Sequence, residues 1–395
     1  MLRALCLTIV GVCAMGRASA DAGPDLGANA ALKYWQAFAT LPRLTEAEEN
    51  KISLQHLSDP VDDQARKVVA KAEYALRMMH LGAALQRCDW GIPYEQGIDI
   101  HLPHGQAARM LCALACLRAR VRFEAGKTGE AIDDIVAALK LGRQVSRNGI
   151  NMTLLVGYAI EHHAGATLAL YLPKLDAAGI KDLKTRLVGL PPGGSPAAAL
   201  RKEEKWALDW FIHQVKGAKD RDSLLTLLSQ CSDSEGRSHD AAERGRAILK
   251  ECGGSAEGVL KCAEETRQSY ELMERKLDLP LDQFQAEWDR EQMKRAGNPI
   301  FKAIYPAEHK VRIVQARADV RRALLAAALD VRLDGRDVLK NHIDPVTGAV
   351  FEYVAVDGGF DLSSTWKVDD ALRTKWKLDD RLTAPITLIV GARGK

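Results

Sequence analysis

Phe123-Glu124-Ala125-Gly126-Lys127-Thr128-Gly129-Glu130-Ala131-Ile132, running on to Ala138-Leu139-Lys140-Leu141, is the stretch that decides the fold class. Upstream lies an Ala- and Leu-rich run, downstream a second one, both with apolar residues at helical spacing. Gly126 between them permits the turn that two antiparallel helices need. The pattern predicts helices at about 104–125 and 129–146. Ala119, Ala131 and Ala138 stand where such helices must approach closely.

The same periodicity extends in both directions. It predicts helices near 30–41, 61–86, 150–172, 176–189, 196–217, 239–252, 255–277, 280–296 and 306–333. Thr45-Glu46-Ala47-Glu48 is a capping box, and Ser195-Pro196 and Asn298-Pro299 are helix starts with proline at the first position. Cys88-Asp89-Trp90-Gly91-Ile92-Pro93 breaks the long early helix. Pro191-Pro192-Gly193-Gly194-Ser195-Pro196 is the clearest linker.

The 104–146 hairpin resembles one unit of a tetratricopeptide repeat. Arg122 stands where that repeat usually carries an aromatic residue, and Arg143 where it closes with proline. No second copy is found a repeat length away on either side, and an array needs about three to bury its faces. The expected fold is therefore mainly α: antiparallel helical hairpins, as a TPR-like α-α superhelix or a bundle.

The tail changes character. Val350-Phe351-Glu352-Tyr353-Val354-Ala355-Val356, the turn Asp357-Gly358-Gly359 and Phe360-Asp361-Leu362 form a β-hairpin signal, and 386–390 is a candidate third strand. Between them Trp366-Lys367-Val368-Asp369-Asp370-Ala371-Leu372 is echoed by Trp376-Lys377-Leu378-Asp379-Asp380-Arg381-Leu382. The expected organisation is a signal peptide over 1–20, an N-terminal helical domain over 21–190, a C-terminal helical region over 191–335 and a small β tail over 336–395.

The first twenty residues read as a secretory leader: Arg3, an apolar run over 4–10, then the small-x-small site Ala18-Ser19-Ala20. The apolar run is too short to span a bilayer. Val12 is bulkier than a lipoprotein cleavage site at Cys13 would want. The chain is thus expected to be periplasmic or secreted, with no membrane span after cleavage. Its 55 Lys+Arg against 52 Asp+Glu give a net charge of +3 in mixed order, which is no electrostatic footprint for nucleic acid.

Individual motifs are sparse. Gly126-Lys127-Thr128 mimics the end of a phosphate-binding loop, but Val121 occupies the place of its first glycine, so no nucleotide is expected. His101 and His104, with Cys88, Cys112 and Cys116 nearby, match no zinc spacing, so no metal is expected. Cys112 and Cys116 read as core residues. An exported chain can pair two of Cys231, Cys252 and Cys262. Glu161, His162 and His163 on a helix, together with His104, are the candidates for acid–base chemistry. Trp206 and Trp210, four apart beside Arg201-Lys202-Glu203-Glu204-Lys205, are the candidate ligand platform, against core packing with a charged outer turn. Asp133-Asp134 reads as a solvated face. No HExxH, GxSxG or CxxC occurs.

Three blocks carry a wider resemblance: Asn29-Ala30-Ala31-Leu32-Lys33-Tyr34-Trp35; Cys88-Asp89-Trp90-Gly91 with Leu102-Pro103-His104 and Leu117-Arg118-Ala119-Arg120; and Asp344-Pro345-Val346-Thr347-Gly348 through Gly359-Phe360-Asp361-Leu362. Together they resemble a group of uncharacterised, exported, helix-rich proteins of planctomycete-type bacteria. The resemblance implies a helical fold with a small β tail, and export; it implies no activity. The leading expectation is a non-enzymatic binding or scaffold protein of the periplasm or cell envelope, acting without a cofactor through helical-hairpin surfaces on a protein or peptide partner. The alternative is an envelope enzyme, such as a hydrolase, using the His/Glu site.

Overall fold

The computed structural model describes residues 28–391 apart from 148, 233–240 and 306. The leader over 1–20 lies outside the described residues. From the N-terminus run α1 (Ala30–Ala39), α2 (Glu46–Ile52), α3 (Asp63–Ala83), α4 (Pro103–Glu124), α5 (Thr128–Ser146), α6 (Asn151–Tyr171) and α7 (Ala177–Val188). Then come α8 (Pro196–Glu203), α9 (Trp210–Gly217), α10 (Arg221–Ser232), α11 (Ala241–Glu251), α12 (Ala256–Glu274), α13 (Leu281–Lys294), α14 (Pro299–Ile304) and α15 (Glu308–Asp334). The tail holds β1 (Glu352–Val356), β2 (Gly359–Ser363), α16 (Asp370–Lys375), α17 (Asp380–Thr383) and β3 (Thr387–Val390). The fold is mainly α with a small antiparallel sheet at the C-terminus.

Local signals act where they occur. The Thr45 side chain accepts from Glu48 N while Glu48 reaches back, completing the capping box of α2. Ser195 and Asn298 cap α8 and α14. The tail duplication has the same explanation: Asp369 accepts from Leu372 N and Asp379 from Leu382 N, so each Asp-Asp-x-Leu copy is an N-cap opening a short helix. The helix predicted over 196–217 is interrupted by a π-helical stretch, Glu204–Asp209.

Two large buried cores organise these elements, with a small third cluster of Leu154, Tyr158, Ala199, Val311 and Ala318 between α6, α8 and α15. The larger takes side chains from α1, α3 to α7, the second half of α15 and the sheet. The smaller takes them from α8 to α14, the first half of α15 and Trp376. One helix thus serves both, with Ile313 and Ala316 in the smaller core and Leu324 and Ala328 in the larger. The Pro/Gly linker is docked rather than free-running: Gly194 N donates to Ser146 Oγ at 3.0 Å.

In the larger core α5 and α6 cross through glycines. A side chain at Gly157 would meet Ser146 Cβ at 2.5 Å and Gly142 O at 2.7 Å. The absence of a Cβ therefore sets how closely these helices approach. In the sheet β2 is central, pairing Phe360 with Ala355 and Val390, and Leu362 with Tyr353 and Leu388. Phe360, Leu362, Leu388 and Val390 alternate onto the larger core. Asp344, which opens the preceding turn, is buried and accepts from Val346 N at 2.8 Å and Thr347 N at 3.2 Å. No helix among the described residues is long and apolar enough to cross a membrane.

Asp133 and Asp134 part company. Asp133 is exposed and pairs with Arg186 at 2.6 Å. Asp134 is fully buried and corrects the reading of both as a solvated face. It accepts from Arg118 at 2.6 Å, Arg122 at 2.7 Å and His80 at 2.7 Å. Arg122, the departure from the repeat pattern, is thus one of its partners.

Candidate functional site

α6 carries apolar and small residues around most of its circumference, the mark of a helix enclosed by neighbours. One of its faces presents Tyr158, Glu161, His162, Gly165, Ala166 and Leu170 to a cavity of about 630 Å³. Opposite stand Ala318, Arg321, Arg322, Leu325 and Leu329 of α15; α5 adds Leu139 and Arg143, α7 adds Lys184 and Leu187, and β3 adds Leu388. α6 and α15 run in the same direction here, since Glu161 meets Arg322 while Gly165 faces Leu325. The void arises because Gly165, Ala166 and Ala318 are too small to fill the space between larger side chains. A Cβ built at Gly165 would find Leu325 at 3.7 Å, an ordinary contact. The volume falls within the range of about 300–1,000 Å³ typical of small-molecule sites.

Charge enters this apolar space in an ordered way. Arg143 Nε lies 3.0 Å from Glu161 Oε1, and Arg322 donates to Glu161 Oε2 at 2.8 Å. Arg322 also pairs with Asp319 and stands 5.8 Å from the Tyr158 ring. Lys184 pairs with Asp330, which also meets His342 at 3.1 Å. Arg321 has no carboxylate partner among the described residues. Burial, with Arg317 beside it, pushes its pKa down to about 10. Arg317 itself donates to the Leu382 and Ala384 carbonyls at 3.1 and 2.8 Å.

The candidates from sequence separate in space. Glu161 and His162 share the cavity, but Glu161 is occupied by two arginines. Burial, then the nearby cations Arg321 and Arg317, drive His162 down to about 3, so it is neutral at pH 7. His163 is influenced by Arg120 rather than Arg321, and burial takes it to about 4. His104 belongs to an aromatic cluster, stacked on Trp90 at 4.8 Å with Trp35 at 6.2 Å. Trp206 donates to the Gly97 carbonyl and the Trp210 ring lies against Gly97, so both are used in packing. Glu203, read as part of a charged outer turn, is buried: its Oε1 accepts from Asn151 N at 3.0 Å, and Asn151 Nδ2 donates to buried Glu308 at 2.6 Å.

Cys252 and Cys262 interact as thiols across the Gly253-Gly254 turn, and Cys231 is buried. Cys112 and Cys116 are buried 3.9 Å apart in α4.

Sequence reasoning missed the arginines and Tyr158. Two signals were present. Arg143 is one of the two departures from the repeat pattern, and Arg321-Arg322 interrupt an otherwise apolar run from Val320 to Leu325. Comparison with family models, with curated proteins and with solved structures finds no match.

Proposed function

We propose that this chain is an exported, non-enzymatic binding protein whose ligand occupies the cavity between α5, α6, α7, α15 and β3. The cavity moves the expected binding element from the outer surfaces of the hairpins to the cleft between them. The observation that carries the reading is a largely apolar, part-open space of about 630 Å³ on the flank of the larger core, with exposed Val188 and Ile389 at its rim. An apolar pocket with few placed polar groups is the usual form of a small-molecule site.

The hydrolase reading draws on Glu161 and His162 lining that same cavity. A general base works best with a pKa near the operating pH. His162 is displaced far below it, and Glu161 is held by Arg143 and Arg322. Binding is therefore the better-supported role.

Nile red should bind the purified chain with one site per chain and a blue-shifted emission. Ala166→Trp, which fills the cavity, should abolish that site while far-ultraviolet circular dichroism stays unchanged; Gly165→Leu serves if the tryptophan variant misfolds. Equal binding by a folded, filled variant would overturn the reading. Ester hydrolysis lost on His162→Ala with the fold intact would replace it by the enzyme reading.

Export also bears on the thiols. Under glutathione redox buffer, Cys252 and Cys262 are the pair expected to close, because the two thiols interact across a tight turn. Non-reducing peptide mapping should find that link; alkylation of both thiols after oxidation would exclude it.

A further inference from the structure

We infer that the ligand of this cavity is a single-chain lipid carboxylate, its head paired with Arg321 and its hydrocarbon chain laid along α6 towards Leu170. The inference rests on the cavity-binding reading above and adds the chemistry of the ligand.

The charges select the sign of the head. Glu161 is matched by Arg143 and Arg322, and Asp330 by Lys184 and His342. His162 adds no positive charge at neutral pH. What remains facing the cavity is the Arg321 guanidinium, without a carboxylate partner among the described residues and with a second cation, Arg317, beside it. A half-buried guanidinium is stabilised by an anion, and its planar fork matches a carboxylate with two parallel hydrogen bonds. Arg317 does not line the cavity and is turned to the Leu382 and Ala384 carbonyls, so the one cavity-facing unmatched cation balances one carboxylate. A phosphomonoester would bring about −1.5 to −2 charges to the same place.

The shape selects the tail. From Tyr158 to Leu170 the cavity-lining face of α6 rises about 18 Å, twelve steps of about 1.5 Å. A single acyl chain spans about half of the ~30 Å hydrocarbon thickness of a bilayer. The lengths agree for one chain. Arg321 lies at the Tyr158 end, because neighbouring Arg322 meets Tyr158 and Glu161. Leu325 and Leu329 follow it along α15 towards Leu170. Cation first and leucines after is the order a fatty carboxylate requires.

The test is competition against bound cis-parinaric acid. Palmitate should displace it, while hexadecanol, cetyltrimethylammonium and lysophosphatidic acid should each compete at least about tenfold less well. Arg321→Gln should weaken palmitate about tenfold, so that the palmitate-to-hexadecanol ratio falls towards one. Arg321→Lys should recover part of the loss.

Palmitate and hexadecanol competing equally in the wild type would overturn the carboxylate assignment and leave the cavity reading standing. Preference for lysophosphatidic acid would assign the head to phosphate and overturn it as well. Binding of cis-parinaric acid unaffected by Ala166→Trp in a folded protein would overturn the cavity reading itself.

Discussion

Replacing Asp134 with alanine should destabilise the fold by about 3–5 kcal/mol, read as a lowered urea midpoint. Asp134 is fully buried at the join of α3, α4 and α5, and its partners are the buried Arg118 and the half-buried Arg122 and His80. Burial alone would raise its pKa. Hydrogen bonds from His80 and Arg118, with the charges of Arg118 and Arg122, outweigh burial and hold it below the ordinary value. Its contribution is therefore present above the unfolded carboxyl pKa and is lost as the pH falls below that. The cost of truncation arises mainly from what remains. Arg118 is 5% exposed, and its other carboxylate partner, Glu73, is largely in solvent. A guanidinium left unpaired there loses its hydration without compensation. The double variant Asp134→Leu with Arg118→Met should recover much of the loss, because a buried ion pair is often replaced by apolar residues at little cost. If Asp134→Ala unfolds with a midpoint indistinguishable from wild type, the cluster is not structural.

Stability should fall as the pH rises from about 4.5 to about 8, and Glu308→Gln should remove much of that fall. Glu308 is fully buried where the start of α15 meets the start of α6, and burial pushes its pKa up to about 8. Glu203, reaching the same Asn151 from α8, is pushed up to about 7 by burial. Tyr270 and Tyr305 are the other titratable groups close to Glu308, and burial raises both well beyond this range. The sign follows from proton uptake. Both carboxyls are protonated in either state below the unfolded pKa. Above it the unfolded chain ionises while the folded chain keeps its protons, so each unit of pH favours unfolding until the folded groups titrate near 7 and 8. The loss amounts to a few kcal/mol, on the order of the pKa difference times 1.36 kcal/mol. Glutamine preserves the acceptor for Asn151 Nδ2 and cannot ionise. Urea midpoints of wild type and Glu308→Gln should lie close at pH 4.5 and diverge towards pH 8, with the variant the more stable. Parallel curves would show that Glu308 ionises freely in the folded protein.

The elements were legible because their signals are local. The hairpin turn at Gly126, the capping box at Thr45, the starts at Ser195 and Asn298 and the alternation of the tail are each decided within a turn of helix or a few residues of strand. Glu161 and His162 were legible as polar groups in an apolar helix, but their chemistry was not. That depends on Arg143 from one helix and on Arg321, Arg322 and Arg317 from another, far along the chain.

By itself, then, the sequence determined a mainly α chain with its helix caps, its central helical hairpin and its antiparallel tail, since backbone propensity and hydrophobic period act between near neighbours. Only the tertiary structure decided that Asp133 faces solvent while Asp134 is buried, that Glu203 and Glu308 share Asn151, and that Gly165, Ala166 and Ala318 leave a space with an unmatched arginine in its wall. Burial and charge pairing depend on which distant side chains arrive at the same place, and no window of sequence contains them together.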